Sequence, residues 1–535
     1  MTGSAISAED LHTLLGASSE FALLDVRDAR VTSERGSILL GVAAPLGVLE
    51  TRIDALVPRR STPVVVYDSG DEGLAARAAR RLAELGYSDV RPLDGGLHAW
   101  ADAGYKVHTG GDHVVGQAFG EFVEDVYKTP HVTVAELLAA QAEGRDVVIL
   151  DSRPLEEFRV HSLPGGTSIP GAELVYRVDE VVASPDALVV VNCAGRTRSI
   201  IGAQTLINAG LPNRVVALEG GTQSWILEGH TLDHGKVSAA PPPRPANVDV
   251  ARTRARHVAE RFGIPTIDGP TLRRFQSEGE ERSVYLLDVR PREEFEAGHL
   301  PGSLPAPSWD LAPWVFRHVG THNARIVLVD GPDLVRATVA ASWVTQIGWG
   351  EVFVTSTDSG EELETGPVAP VVLGLGEVDL VDAGSLRDAL GSATAPLVVD
   401  LAPSTGYLAG HLPGAVFAPR ARLADAAAAL SGDGAVVLTS PDGVVARLAA
   451  PELAAVTDRP VTVLAGGTAA WAAAGFPVEA GDGHFVAPAE DAIRHGWFES
   501  DPERQKEGFR RYLAWEIGLV AELREDDTVP FRTFL

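Results

Sequence analysis

The sequence predicts an α/β protein of four related domains, each a parallel sheet flanked by helices, followed by a C-terminal helical tail. Three observations carry that prediction. A short apolar strand ending in aspartate recurs as LLDVRD (23–28), ILDSRP (149–154), LLDVRP (286–291) and, with a looser ending, VVDLAP (398–403). The recurrences lie more than 100 residues apart, too far for a solenoid repeat and right for a small domain. Within each copy, apolar strands alternate with stretches of helical spacing, the pattern of a sheet covered by helices on both faces.

The first copy, 1–110, opens with MTGSAISAEDLHTLL, which lacks a basic flank before an apolar core and so reads as a first helix, not a leader. Its second strand is PVVVYD (63–68), its helix GLAARAARRLAELG (73–86) is closed by glycine, and LDGGLHAW (93–100) ends its third strand. The second copy, 125–236, repeats the order with VHSLPGGTSIP (160–170), LVVVNC (188–193), SIIGAQTLINAG (199–210) and LEGGTQSW (218–225). Residues 237–265 are a proline-rich linker and helix. The four prolines of VSAAPPPRPAN (237–247) stiffen the chain, keep it out of a sheet and divide the protein into two halves of two domains. The third copy, 266–368, carries AGHLPGSLPAP (297–307) and RIVLVD (325–330) and lacks the GG…W ending. The fourth, 374–480, carries AGHLPGAVFAP (409–419), AVVLTS (435–440) and LAGGTAAW (464–471). In the tail, 481–535, QKEGFRRYLAWEIGLVAEL (505–523) places Phe509, Leu513, Ile517 and Val520 on one stripe, which is expected to dock on a domain.

Composition bounds the function. No apolar run approaches the roughly 20 residues of a membrane span, and a net charge of −28 opposes nucleic acid and anionic membrane surfaces. A cytoplasmic protein with no nucleic-acid or membrane partner is expected; its protein partners are not legible. A single cysteine among 535 residues excludes an internal disulfide, a pair of attacking and resolving thiols, and zinc held by several cysteines. No metal or other cofactor is expected.

That cysteine, Cys193, lies in VVVNCAGRTRSIIGAQ (189–204). A lone buried cysteine usually behaves as a small hydrophobe. Its neighbours argue otherwise, because a strand's carboxyl end that runs into a helix leaves N–H groups unpartnered and presents the positive end of the helix dipole. A thiolate there, beside arginine, has its pKa lowered from about 8.5 to about 3.5–7.5. Ala194, Gly195, Arg196, Thr197 and Arg198 are expected to curl around the sulfur, with Gly195 in a conformation closed to other residues and Ser199 capping the helix. Arg196 and Arg198 either attract an anionic donor or pair with nearby carboxylates. Cysteine phosphatases and some arsenate reductases use a similar nest, but with arginine at the sixth position after cysteine. Here the sixth position is Ser199 and the arginines are third and fifth, a loop better matched to one sulfur atom than to a tetrahedral phosphate.

The ordered set of strand-Asp, GHLPG, strand-Cys loop and GG…W resembles the rhodanese family of sulfurtransferases over roughly residues 5–480. The resemblance implies four rhodanese-like domains with five-stranded parallel sheets and a cysteine that carries sulfur as a persulfide. Cys193 is matched by Asp68, Asp330 and Ser440 in the other copies, so only the second domain can carry sulfur and the rest are expected to shape or shield it. The resemblance also brings Asp151 and Arg153 near the loop, in a supporting role read as structural because the other copies keep the aspartate without the cysteine. His299 and His411 should stabilise turns in the GHLPG motifs, whose place in the second copy is taken by Ser162 beside His161. Trp100, Trp225 and Trp471 read as core, and Glu173 and Arg177 as residues within reach of the pocket mouth. The activity implied is transfer of sulfane sulfur from a small anionic donor such as thiosulfate to a thiol or cyanide, by double displacement through a Cys193 persulfide. Arg196 and Arg198 would then stabilise the departing sulfite. The loop does not resemble the short uncharged loops of the mercaptopyruvate branch. The alternative is a non-catalytic rhodanese scaffold or a sensor of reactive sulfur.

Overall fold

Each aspartate-ending strand lies in the interior of its own sheet in the computed structural model, which describes every residue except 1–3, 111–113, 431, 433, 482 and 494–495. The opening helix runs Ala8–Leu15, with the Ser7 side chain accepting from the Asp10 N–H; Met1–Gly3 of the quoted opening lie outside the described residues. The second domain's sheet is five-stranded and wholly parallel, in the order His131–Val132, Val215–Leu218, Leu188–Asn192, Val147–Asp151, Thr167–Ser168. Leu188–Asn192 is buried throughout, as a central strand covered on both faces must be. The other sheets depart from five parallel strands. The third has four strands and the fourth six, while the first gains an antiparallel strand, Thr321–His322, from the third domain.

That borrowed strand overturns the expected division into halves. So does the course of the linker. Ser168 N–H donates to Ser238 O and Ala240 N–H to Ser168 O, so the residues before the prolines extend the second sheet's edge. Pro245 then opens the helix Pro245–Phe262, where a missing N–H costs nothing, and this helix buries Ala251, Ala255, Val258 and Phe262. One apolar cluster runs through the first three domains, so they share a core. The fourth domain has clusters of its own and reaches the first through Arg420, which grips Glu50 with two bonds of 2.7 Å.

The C-terminal helix spans Pro502–Leu523, with Asp501 accepting N–H groups of its first turn. It docks as expected, but only part of the predicted stripe is covered: Phe509 is buried, Leu513 and Val520 are half-buried and Ile517 is exposed. Its buried residues are Phe509, Glu516 and Leu519, and Ile517 is 53% exposed. The docked face includes a carboxyl group, so apolar spacing alone misplaced it. Among the described residues no helix is long and apolar enough to cross a membrane.

Candidate active site around Cys193

Cys193 follows the strand Leu188–Asn192 and is 3% exposed. Its Sγ accepts the Ser199 hydroxyl at 3.2 Å and the Gly195 N–H. The GG…W turn braces the loop from behind: Thr222 N–H donates to Cys193 O at 2.9 Å and Gln223 N–H to Ala194 O at 3.1 Å. Gly221 makes this approach possible, since at φ +53° it adopts a left-handed conformation and a Cβ on it would stand 2.3 Å from Cys193 O. Trp225 is buried behind the turn and donates to Thr231 O; Trp100 and Trp471 make the matching bond to Lys106 O and Pro477 O.

Three local expectations need correction. Gly195 is not left-handed; its lack of a side chain matters because a Cβ would lie 3.1 Å from Glu516 Oε2 and 3.2 Å from the Tyr512 ring. Ser199 does not cap: the helix Thr197–Asn208 begins two residues earlier, leaving the hydroxyl free to serve the sulfur. The thiol is not acidified. Burial pushes its pKa up, against the pull of Arg198, the Ser199 hydroxyl and the Gly195 N–H, while Glu516 adds to the rise.

The arginines take the second of their two readings. Arg196 holds Glu121 through two bonds of 2.8 and 2.9 Å and also meets Glu124. Arg198 holds Glu157 through two bonds of 2.8 Å and lies over the Trp314 ring. Thr197 donates its hydroxyl to Glu516 Oε1 at 2.9 Å. Asp151 and Arg153 form a buried pair behind the loop, with Asn192 donating to Asp151. The same pair recurs as Asp25–Arg27 and Asp288–Arg290 where no cysteine is present, which marks it as a framework. His161 bonds Arg153 and stacks on Trp497, and burial beside that guanidinium drives its pKa down to about 3. His299 and His411 bond the carbonyls of Phe295 and Tyr407 one turn back. Glu173 and Arg177 pair with each other, and Glu173 meets Arg336 of the third domain, at an interdomain seam.

Sequence reasoning missed what two elements contribute to the site. The helix Val114–Tyr127 supplies Glu121 and Glu124, and its Gly120 lets Thr197 approach to where a Cβ would be 2.8 Å away. The C-terminal helix supplies Tyr512 and Glu516 as a roof. A usable signal existed in the second case: Tyr512 and Glu516 stand four apart, on one helical face.

At the matching position of the first domain, Asp68 receives the N–H groups of Gly70 at 2.8 Å and Ala75 at 2.9 Å. In the third, Asp330 receives those of Gly331, Arg336 and Ala337 at 2.8, 2.8 and 3.1 Å. In the fourth, Ser440 Oγ accepts the Ala446 N–H at 3.3 Å. The strand-to-helix junction is therefore an anion seat, filled by a carboxylate in two domains and offered to sulfur in the second.

Comparison with known proteins agrees with this architecture. A family model described as Rhodanese-like domain matches residues 7–103, 133–228, 271–357 and 382–474, the third copy included. The crystal structure of a thiosulfate sulfurtransferase from Pseudomonas aeruginosa superposes with a TM-score of 0.94 at 41% identity, covering 99% of this chain and 100% of that one. SseB of Mycobacterium tuberculosis, provisionally named a thiosulfate sulfurtransferase, is 34% identical over 129 residues, 22% of this chain and 43% of SseB. An HTH-type transcriptional regulator of the same organism is 37% identical over 113 residues, 21% of this chain and 49% of the regulator. The chain thus spans under half the length of the curated relatives it matches.

Proposed function

Since the chain belongs to the rhodanese-like family, with four copies of the domain, we propose that it is a thiosulfate-type sulfurtransferase whose sulfur is carried on Cys193. The observation that carries this reading is the anion seat: the junction that holds the Asp68 and Asp330 carboxylates by main-chain amides holds a sulfur in the second domain, with the Ser199 hydroxyl as an added donor. The similarity to the Pseudomonas enzyme supports it.

The Cys193 thiolate attacks the outer sulfur of thiosulfate; a sulfur–sulfur bond forms at Sγ, the donor's own sulfur–sulfur bond breaks, and sulfite leaves with the electron pair. The persulfide anion rests on the Gly195 N–H and the Ser199 hydroxyl. A thiolate or cyanide then takes the outer sulfur and returns Cys193 to thiolate. Arg198, locked on Glu157, lowers the cost of the thiolate through space; Arg196, locked on Glu121, ties the loop to the preceding helix. Of the other domains, the third reaches the loop through Trp314, whose ring lies against Arg198.

The 3% exposure of Cys193 favours a second reading, a sensor or scaffold that reacts only when its roof lifts. A Cys193→Ser variant separates the two. Sulfite release from thiosulfate in the presence of cyanide is expected to vanish; its survival would overturn the enzyme, and a wild-type protein with neither turnover nor persulfide would favour the scaffold.

A further inference from the structure

We propose that Glu516, brought in by the C-terminal helix, is the neutral hydrogen-bond donor that positions the anionic end of the sulfur donor over Cys193. The inference rests on the sulfurtransferase reading above and adds a residue from outside the sulfur-carrying domain to its site.

The loop cations are already committed. Arg196 is bound to Glu121 and Glu124, and Arg198 to Glu157. For either to turn toward a dianion it must abandon a carboxylate, and for the largely buried Glu121 this leaves an unpaired charge out of water, a heavy cost. The recognition of the donor's sulfonate end needs a different group.

Glu516 is placed beside the loop. The residue is 1% exposed, and its Oε1 accepts the Thr197 hydroxyl at 2.9 Å and the Tyr512 hydroxyl at 3.2 Å. Among the described residues its Oε2 has no partner, and it stands 3.1 Å from where a Cβ on Gly195 would be, beside the residue whose N–H donates to the sulfur. A buried polar atom without a partner is uncommon because no hydrogen bond repays its loss of water. With both hydroxyl donors on Oε1, a proton on Oε2 makes that oxygen a donor aimed across Gly195 at the space an anion on Cys193 must occupy.

Charge favours the neutral form. Facing Glu516 are Tyr512 from its own helix, Glu121 and Glu124 from the helix Val114–Tyr127, and Arg196 and Cys193 from the loop. Two carboxylates already neutralise the single guanidinium. Burial, with Glu121 adding repulsion, pushes the Glu516 pKa up to about 7. In its acid form the side chain donates to a dianion; as a carboxylate it repels one. Discrimination for an anionic donor is thereby tied to one proton.

Thiosulfate binding to the full-length Cys193→Ser protein, which cannot accept the sulfur, tests this by calorimetry between pH 6 and 8.5. The dissociation constant should rise about tenfold per pH unit above neutrality, with close to one proton taken up on binding when measured in buffers of different ionisation enthalpy. Adding Glu516→Gln keeps a donor but removes the titration, so the pH slope and the proton uptake should both disappear. A slope and an uptake that persist in Glu516→Gln, or binding to Cys193→Ser that is absent or independent of pH, would overturn the inference. If the double variant does not fold, the proton count in Cys193→Ser decides. Sulfite release by the wild type, measured in parallel, keeps the outcomes apart: its absence removes the underlying sulfurtransferase reading, whereas its presence with no proton uptake removes Glu516 alone.

Discussion

At the scale of single residues, the site sets burial against hydrogen bonding around one sulfur. Burial raises the Cys193 thiol, and Arg198, Ser199 and the Gly195 N–H pull it back. A raised thiol is protonated over more of the neutral range, so alkylation and persulfide formation should both quicken with pH past the usual thiol midpoint of about 8.5. Removing the Ser199 hydroxyl withdraws a bond worth about 1–1.5 kcal/mol to the anion. Ser199→Ala is therefore expected to move the alkylation midpoint up by about one pH unit and to slow iodoacetamide about tenfold at pH 7.5. An unchanged profile would show that the hydroxyl does not serve the sulfur. Cys193 itself was legible from its place between an apolar strand and a helical stretch. The partners of Arg196 and Arg198 were not, since Glu121 lies 75 residues from Arg196 and Glu157 lies 41 from Arg198. Local spacing carries no record of such contacts.

At the scale of elements, the C-terminal helix couples its docking to a proton. The Glu516 pKa is raised on folding, so the docked helix binds its proton more tightly than the unfolded chain does. The associated stability is fully present below the ordinary glutamate pKa of about 4.3 and falls as pH rises toward about 7, by a few kcal/mol in all. Amide hydrogen exchange over 502–523, corrected for intrinsic rates, should show protection falling between pH 5 and 8, and Glu516→Gln should flatten that fall. Protection that rises with pH would contradict the assigned sign. The alternation of strands and helices was readable because burial on both faces leaves continuous apolar runs such as LVVV (188–191). The docked face of the last helix was not, because its buried positions mix Phe509 and Leu519 with Glu516, and apolar periodicity selects Ile517 instead.

At the scale of the whole molecule, four copies of one unit have become a single assembly. The repeat was legible from four strand endings, but their arrangement was not: the strand Thr321–His322 completes the first sheet across an interval of some 300 residues, and nothing in its two residues announces the pairing. The fourth domain depends on a smaller contact. Arg420 and Glu50 are 5% and 0% exposed, and truncating Arg420 leaves the buried Glu50 carboxylate with Arg81 alone, at 2.7 Å. Arg420→Ala removes two bonds to Glu50 and should cost about 1–3 kcal/mol at this seam, seen as a fourth-domain transition at lower denaturant than the rest. A single unshifted transition would show that the seam does not hold the domains together. The assembly's purpose, on this account, is to present one sulfur under a roof made by distant parts of the chain. The most direct test is peptide mass analysis of the full-length protein after exposure to thiosulfate and removal of excess donor. The account predicts a gain of about 32 Da, one sulfur atom, on the peptide carrying Cys193, reversed by cyanide; an unmodified Cys193 peptide in a protein that still releases sulfite would contradict it.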